Sequence, residues 1–179
     1  MKKLLTLFLV SAAISAVADT AATNGAYFNV NAGYATIQNL PTGAATLGVN
    51  AGYNFNQALA VEGGWSSMPS QQWDWLSSYN AYDVAVKGTI HLSNMFALYG
   101  RLGAAVGYSA WSGTMGSPMQ YNSAGSATNL LGLAGIGASF TLSNHFDLRL
   151  EDYAYIPINQ QVGSFGGANI VTGGFQYNF

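Results

Sequence analysis

Seven charged side chains are the residues of this chain that could most readily take part in catalysis or form ion pairs. Each falls at an alternate position of a segment that is otherwise apolar, glycine-rich or small. A pair of carboxylates can perform acid and base catalysis. Three cations at neighbouring positions favour salt bridges with Glu62 and Glu151 over proton transfer, so we expect an ion-paired network and no catalytic pair. The seven residues are Glu62, Asp83, Lys87, Arg101, Asp147, Arg149 and Glu151.

Other catalytic or metal-binding patterns are absent from the sequence. His91 and His145 stand without cysteine or closely spaced carboxylates, which makes a poor metal site and favours ordinary interfacial side chains. The sequence has no G-x-S-x-G, no G-x-x-x-x-G-K and no H-E-x-x-H, and no serine has an evident histidine partner. We therefore expect no catalytic residues, no metal, no cofactor and no enzyme activity.

The elements that carry the seven charges alternate with a period of two. In the first segment, Phe28, Val30, Ala32 and Tyr34 share one face, and Asn29 and Asn31 lie on the other. This period predicts β-strands with one apolar face. The sixth segment is apolar on both faces, and Leu130, Ala134, Ile136, Ala138 and Phe140 are taken as its outward face. The eight predicted strands cover about 27–34, 46–55, 59–65, 79–92, 95–109, 129–142, 145–155 and 171–179.

The composition indicates that these strands cross a membrane. Only 7% of the residues are charged, against about 25% in an average soluble domain, and 13% are aromatic. Beyond the amino terminus no apolar stretch reaches 18 residues, so the remaining way to satisfy the backbone in lipid is a closed barrel. The fold class predicted is all-β, an eight-stranded antiparallel up-and-down transmembrane β-barrel. We expect the lipid-facing positions of its strands to carry no charge.

The predicted lumen is narrow and charged. Glu62, Lys87, Arg101, Arg149 and Glu151 stand about five to seven residues above the predicted periplasmic turns, within a span of about 9 to 11 residues. An eight-stranded barrel has room only for its own side chains, so these groups should pair into a plug at mid-barrel height. The plug is either a gate, opened by an exchange of ion-pair partners, or a static polar core.

The amino terminus predicts export. Residues 1–18 have a basic start and an apolar run that ends in Ala16-Val17-Ala18, which is typical of a signal peptide. The expected mature barrel domain, 19–179, retains three cations against seven carboxylates, a formal net charge of −4. This balance excludes the basic surface that nucleic-acid binding requires, and the absence of cysteine excludes disulfides. The expected location is the outer membrane of a Gram-negative bacterium, reached through the periplasm.

The connections differ on the two sides of the predicted barrel. The links after strands two, four and six are tight, and the longest of the others are 66–78 and 110–128. Outer-membrane barrels combine short periplasmic turns with long extracellular loops. These loops hold Trp73, Trp75, Trp111 and Tyr121, which either contact an extracellular partner such as a sugar or pack against the barrel rim or lipopolysaccharide.

A family resemblance is carried by aromatic residues at strand ends, from Gly33-Tyr34 and Gly52-Tyr53-Asn54-Phe55 to the final Phe175-Gln176-Tyr177-Asn178-Phe179. The pattern resembles the OmpA-like and opacity-type small outer-membrane β-barrels. The resemblance implies a monomeric barrel in contact with outer-membrane lipid and lipopolysaccharide, with Glu62, Lys87, Arg101 and Arg149 in an interior charge network. Phe175, Tyr177 and Phe179 look like the signal read by the barrel-assembly machinery.

Three classes of function are compatible with this fold. We favour a structural or surface-interaction role through the extracellular loops, in envelope integrity, adhesion or host contact. A narrow, gated, porin-like pore for small solutes or ions is the alternative. A lipid A-modifying enzyme is less favoured, because it would need a histidine and a serine at the extracellular rim, whereas His91 and His145 lie near the periplasmic turns.

Overall fold

All eight alternating segments form strands that close into one barrel. The computed structural model describes residues 24–38, 43–72, 75–115, 121–158 and 167–179. The strands follow one another around the barrel in chain order, all antiparallel, and β1 pairs with β8 from Tyr27↔Asn178 to Ile37↔Ala168. The predicted fold class is confirmed. The strands are β1 (Gly25–Ile37), β2 (Ala44–Asn54), β3 (Leu59–Gln72), β4 (Trp75–His91), β5 (Phe96–Met115), β6 (Tyr121–Thr141), β7 (Phe146–Pro157) and β8 (Ala168–Asn178).

No helix within the described residues has the length and apolarity needed to cross a bilayer. The predicted signal peptide, residues 1–18, lies outside the described residues.

The apolar faces of the strands point outward and form a lipid-facing surface. Val30 and Val84 are exposed there, and their neighbours in sequence are buried in the lumen. Leu102 is exposed as well, and Arg101 before it is buried. The sixth strand follows the predicted orientation, since Leu130, Ile136 and Phe140 are exposed and Leu131 is fully buried. Period-two alternation therefore identifies the two faces correctly even where both are apolar.

One charge contradicts the expectation for the lipid-facing surface. Asp152 is exposed on the outer face of β7, in register with Ile136 of β6 and Val171 of β8. The prediction that no lipid-facing position carries a charge was wrong. The alternation through Leu148 and Leu150 itself places Asp152 outward.

Three tight turns lie at one end of the barrel, as predicted. They span Phe55–Ala58, Leu92–Met95 and Leu142–His145. In the first, the Asn56 side-chain oxygen accepts hydrogen bonds from the backbone N–H groups of Ala58 and Leu59, both at 2.8 Å. Ser93 accepts an equivalent bond from Phe96 at 3.0 Å. Asparagine and serine thus satisfy the backbone where the chain reverses.

The strands at the other end are longer than predicted. The predicted loops 66–78 and 110–128 are mostly paired strand, because β3 and β4 continue to Gln72↔Trp75 and β5 and β6 to Met115↔Tyr121. The Ser, Gly and Asn residues of these two segments are typical of loops. Beyond the membrane, however, a paired strand does not need an apolar face, so these residues can continue the strands. Trp75, Trp111 and Tyr121 consequently lie in strands and not in loops, and Trp73 lies outside the described residues.

The lumen is filled by two layers of side chains. The layer nearer the long strand ends is apolar and includes Ile37, Met68, Leu131 and Ile170, all nearly inaccessible to solvent. The layer below it holds the charged residues. Rings fit beside inward-facing glycines, and the ring of Tyr27 occupies the space that a side chain at Gly52 would need. The barrel interior is therefore packed along most of its described length.

Candidate functional site

Six of the seven predicted network residues meet in the lumen. They come from four strands, β3, β4, β5 and β7, whose inward positions lie at similar heights. Each is between 1 and 7% exposed. We call this group the lumen charge cluster: Glu62, Asp83, Lys87, Arg101, Arg149 and Glu151.

Arg101 joins three carboxylates of the cluster. Its Nε lies 2.8 Å from Glu62 Oε2, and its Nη2 lies 3.0 Å from Asp83 Oδ1. Its Nη1 lies 2.7 Å from Glu151 Oε1. A planar guanidinium has donors in several directions, so one arginine can bridge β3, β4 and β7 across the barrel.

Arg149, two strands further along the barrel on β7, makes a second set of bridges. Its Nη1 lies 2.8 Å from Glu62 Oε1, and its Nη2 lies 3.1 Å from Glu151 Oε2. It also donates to Gln176 Oε1 and to the Tyr99 hydroxyl, both at 3.1 Å. Every nitrogen of this buried guanidinium is therefore bonded, as burial of a charge requires.

Glu62 is the residue on which all three cations converge. Besides the two arginines, Lys87 Nζ approaches Glu62 Oε1 to 3.1 Å. The Tyr27 hydroxyl donates to the same oxygen at 2.6 Å, and the Lys87 ammonium lies 4.0 Å from the centre of the Tyr27 ring. Glu62 and Arg101 each take part in three ion pairs, so the loss of either would disturb more pairs than the loss of any other member of the cluster.

Tyrosines that were not predicted as members of the charge network also bond to the cluster. Besides Tyr27, the Tyr99 hydroxyl donates to Glu151 Oε2 at 3.1 Å. The Tyr155 hydroxyl donates to Asp83 Oδ2 at 2.7 Å. Their inward positions in the alternation were a usable signal, because a buried hydroxyl facing a charged lumen needs a polar partner.

Asp147 was predicted as a member of the network but lies apart from the cluster. It is partly exposed near the periplasmic turns, and its Oδ2 accepts hydrogen bonds from Asn178 at 2.8 Å and Gln176 at 3.4 Å. Asp147 is the first inward residue of β7, one position closer to the turn than Arg149 on that face. Inward orientation predicts the face of the barrel, but not the height at which a side chain lies.

The lumen charge cluster has equal numbers of positive and negative groups. Three cations face three carboxylates, and tyrosine hydroxyls fill further hydrogen-bonding positions. No group of three or more His, Cys, Asp and Glu side chains among the described residues is arranged to bind a metal ion. The arrangement ties four strands together across a narrow lumen, and removal of any one partner leaves a buried charge uncompensated.

The carboxyl-terminal aromatic residues lie on the outside of the barrel. Phe175, Tyr177 and Phe179 are exposed and alternate along β8 and its end. The Tyr177 ring packs edge-on against Phe146 and Phe179, with centroid distances of 5.1 and 5.0 Å. They form part of an aromatic girdle at the periplasmic side, and reading of these residues by the assembly machinery stays a prediction.

Solved structures with the same architecture come from several bacteria. Neisserial surface protein A is 13% identical over 89% of this chain and 100% of its own, with a TM-score of 0.65. The attachment invasion locus protein Ail of Yersinia pestis is 15% identical over 87% and 97%, with a TM-score of 0.58. The amino-terminal β-barrel domain of Pseudomonas aeruginosa OprF is 12% identical over 87% and 99%, with a TM-score of 0.59. At these identities the likeness establishes the fold.

A family model matches nearly the whole chain, whereas no curated protein matches it. The family model describes an outer membrane protein β-barrel domain and matches residues 4–179. This match agrees with the closed barrel, the apolar outer face and the polar lumen. The chain therefore belongs to the family of outer-membrane protein β-barrel domains and is an integral protein of the outer membrane.

Proposed function

We propose that this protein has a structural or surface-interaction role at the cell surface and is not an enzyme. The observation that carries the proposal is the length of β5 and β6, which have 20 and 21 residues. A tilted strand needs about 9 to 11 residues to cross the membrane. About ten residues of each strand are therefore available beyond it, on the side opposite the tight turns, which is the extracellular side.

The composition of this extension indicates the kind of surface it would bind. The strand ends from Ser109 to Met115 and from Tyr121 to Thr128 contain no charged residue. Their sequences contain hydroxyl and amide residues together with Trp111 and Tyr121, and Trp75 begins the neighbouring β4. Trp73 and the single carboxylate Asp74 precede it in the sequence, outside the described residues. Aromatic rings with neutral polar groups suit an uncharged glycan or a neutral protein surface.

A polyanionic ligand fits this chain poorly. Ail was solved in complex with the heparin analogue sucrose octasulfate. Sulfate recognition depends on Arg and Lys side chains. Here the cations are Lys87, Arg101 and Arg149, which are buried in the lumen, and Lys2 and Lys3 in the predicted signal peptide. We therefore propose a neutral extracellular partner.

The remaining partners of the proposal are those of the envelope. The exposed apolar face supports contact with outer-membrane lipid and lipopolysaccharide. Phe175, Tyr177 and Phe179 support recognition by the barrel-assembly machinery. The family resemblance supports a barrel that does not require a second copy of itself.

The test is glycan binding by the mature barrel in nanodiscs. We expect binding to a subset of neutral oligosaccharides and none to heparin. Trp111→Ala is expected to weaken that binding about tenfold, which is about 1.4 kcal/mol, within the range of an aromatic contact. Trp65→Ala, on the outer face of the membrane-spanning region, is the matched control and should leave it unchanged. Binding to heparin alone, or to no oligosaccharide, would contradict the proposal.

The pore alternative is tested separately. The lumen charge cluster and the apolar layer above it occupy the lumen, which supports a closed barrel. Planar-bilayer recordings of the wild-type barrel are expected to show no steady conductance. A steady conductance at low voltage would favour the pore over the proposed role.

A further inference from the structure

Asp152 is a carboxylate on the lipid-facing surface with no cation in reach. Its partners in register, Ile136 and Val171, are apolar and 71% and 58% exposed. Leu150 and Ala154 flank it on the same face of β7. Among the described residues, none forms a salt bridge or hydrogen bond with its side chain. Asp152 therefore differs from every carboxylate of the lumen charge cluster.

The depth of Asp152 places it in the hydrocarbon and not at an interface. Phe146, six positions earlier, lies in the periplasmic aromatic girdle. A strand rises about 3.3 Å per residue and tilts by about 40°, so Asp152 lies about 15 Å above that girdle in an apolar band about 25 Å tall. The extracellular boundary is then about 10 Å away. Lipid headgroup amines at that boundary are beyond the reach of an aspartate side chain.

The described residues of this chain supply no counter-charge for Asp152. A carboxylate in hydrocarbon needs a cation or a proton, since its uncompensated burial is costly. Lys87, Arg101 and Arg149 are committed to the lumen charge cluster, and the other two cations lie in the predicted signal peptide. A second copy of the barrel also lacks a lipid-facing cation within the described residues.

The surface around Asp152 allows close approach by a partner. Ala134 and Ala138 of β6 and Ala154 of β7 share the outward face with it. Gly132 of β6 and Gly173 of β8 lie on the same outward face, among the larger Ile136, Leu150 and Val171. Small residues at a membrane interface let two backbones come near enough for polar side chains to meet.

We propose that the outer face of β6, β7 and β8 around Asp152 is a docking surface for a membrane-embedded partner that presents a Lys or Arg to the hydrocarbon. The pairing removes two unfavourable groups from lipid together, because each supplies the other's counter-charge. The proposal concerns the lipid-facing surface and is independent of what the extracellular extension binds.

The test measures energy transfer between the labelled mature barrel and synthetic transmembrane helices in phosphatidylcholine vesicles. One leucine-rich helix carries a single Lys at the depth of Asp152, and the matched helix carries Leu there. The Lys helix is expected to associate with the wild-type barrel about tenfold more strongly than the Leu helix. Asp152→Asn and Asp152→Leu are expected to abolish the difference, and Val84→Asn, three strands away on the outer face, to preserve it.

The same experiment overturns the proposal in three ways. Equal association of the Lys and Leu helices, or an unchanged preference in both Asp152 variants, shows that the carboxylate does not select a cation. Self-association of the barrel without any helix, if abolished by Asp152→Leu, shows that the partner is a second copy. Folding of each variant is checked by its heat-dependent electrophoretic mobility, and either Asp152 variant is sufficient for the comparison.

Discussion

Glu151 and Asp152 are consecutive carboxylates of β7 that face opposite sides of the barrel wall. Glu151 points into the lumen, where Arg101, Arg149 and Tyr99 bond its two oxygens. Asp152 points outward between Ile136 and Val171 and has no such partner among the described residues. One position in the sequence thus separates a fully compensated charge from an uncompensated one.

The difference shows that charged groups on the two faces of the barrel wall are compensated in different ways. On the lumen side, the six charges of the lumen charge cluster are paired with one another within the chain. On the lipid side, a polar group can be satisfied only by another molecule of the membrane. Substitutions on the two faces should therefore differ in their effects on the free energy of unfolding.

Arg101→Met is expected to have the largest effect. It leaves three carboxylates without their shared cation, and removal of one member of a buried ion pair costs about 3 to 5 kcal/mol. The free energy of unfolding, measured by urea titration in phospholipid vesicles with tryptophan fluorescence, should fall by this amount. Leu102→Met, at the next residue on the lipid face, is the control and should change it by less than about 0.5 kcal/mol. A loss below about 1 kcal/mol for Arg101→Met would mean that the cluster contributes little to stability.

Glu151→Gln and Asp152→Asn test the comparison directly, since each replaces a carboxylate by its amide. Glu151→Gln loses two charge-assisted bonds, at 2.7 and 3.1 Å, and should lower the free energy of unfolding by about 1 to 3 kcal/mol. Asp152→Asn removes a charge from lipid and should leave it unchanged or raise it by up to about 1 kcal/mol. Equal losses in the two variants would show that the wall does not separate the two environments as described.

Gly52→Ala and Gly88→Ala give the smallest expected effects on the same measurement. A methyl group at Gly52 meets the Tyr27 ring, which must move away from Glu62, whereas one at Gly88 meets nothing within 4 Å. Overpacking of this kind costs about 1 kcal/mol where a ring can tilt. Gly88→Ala should change the free energy of unfolding by less than about 0.5 kcal/mol. Similar values for the two variants would argue against close packing in the lumen.

The faces of the strands could be predicted from the sequence because alternation is a local property. Leu130 and Leu131 were assigned to opposite sides of β6, and the structure places them so. The same rule, extended to Asp152, puts this carboxylate on the outward face, against the expectation that lipid-facing positions are uncharged. A charge that breaks such a rule is informative for that reason.

The partners of each charge and the lengths of the strands could not be predicted in the same way. Arg101 reaches Glu62, Asp83 and Glu151 only because strand register sets their heights, and register depends on pairing between distant segments. The sequences at the ends of β5 and β6 show little alternation between apolar and polar residues, so the period of two does not predict strands there. Their pairing, as in Ser112↔Ala124, is visible only in three dimensions.

The lumen charge cluster contains three cations and three carboxylates, so its formal charge is zero. A transmembrane potential does about 2.3 kcal/mol of work per 100 mV on each elementary charge that crosses it. An assembly without net charge gains almost nothing from such a field when it shifts as a unit. The conformation of the cluster should therefore not depend on the transmembrane potential. A substitution that unbalances its charge, such as Lys87→Met, would make that conformation sensitive to voltage.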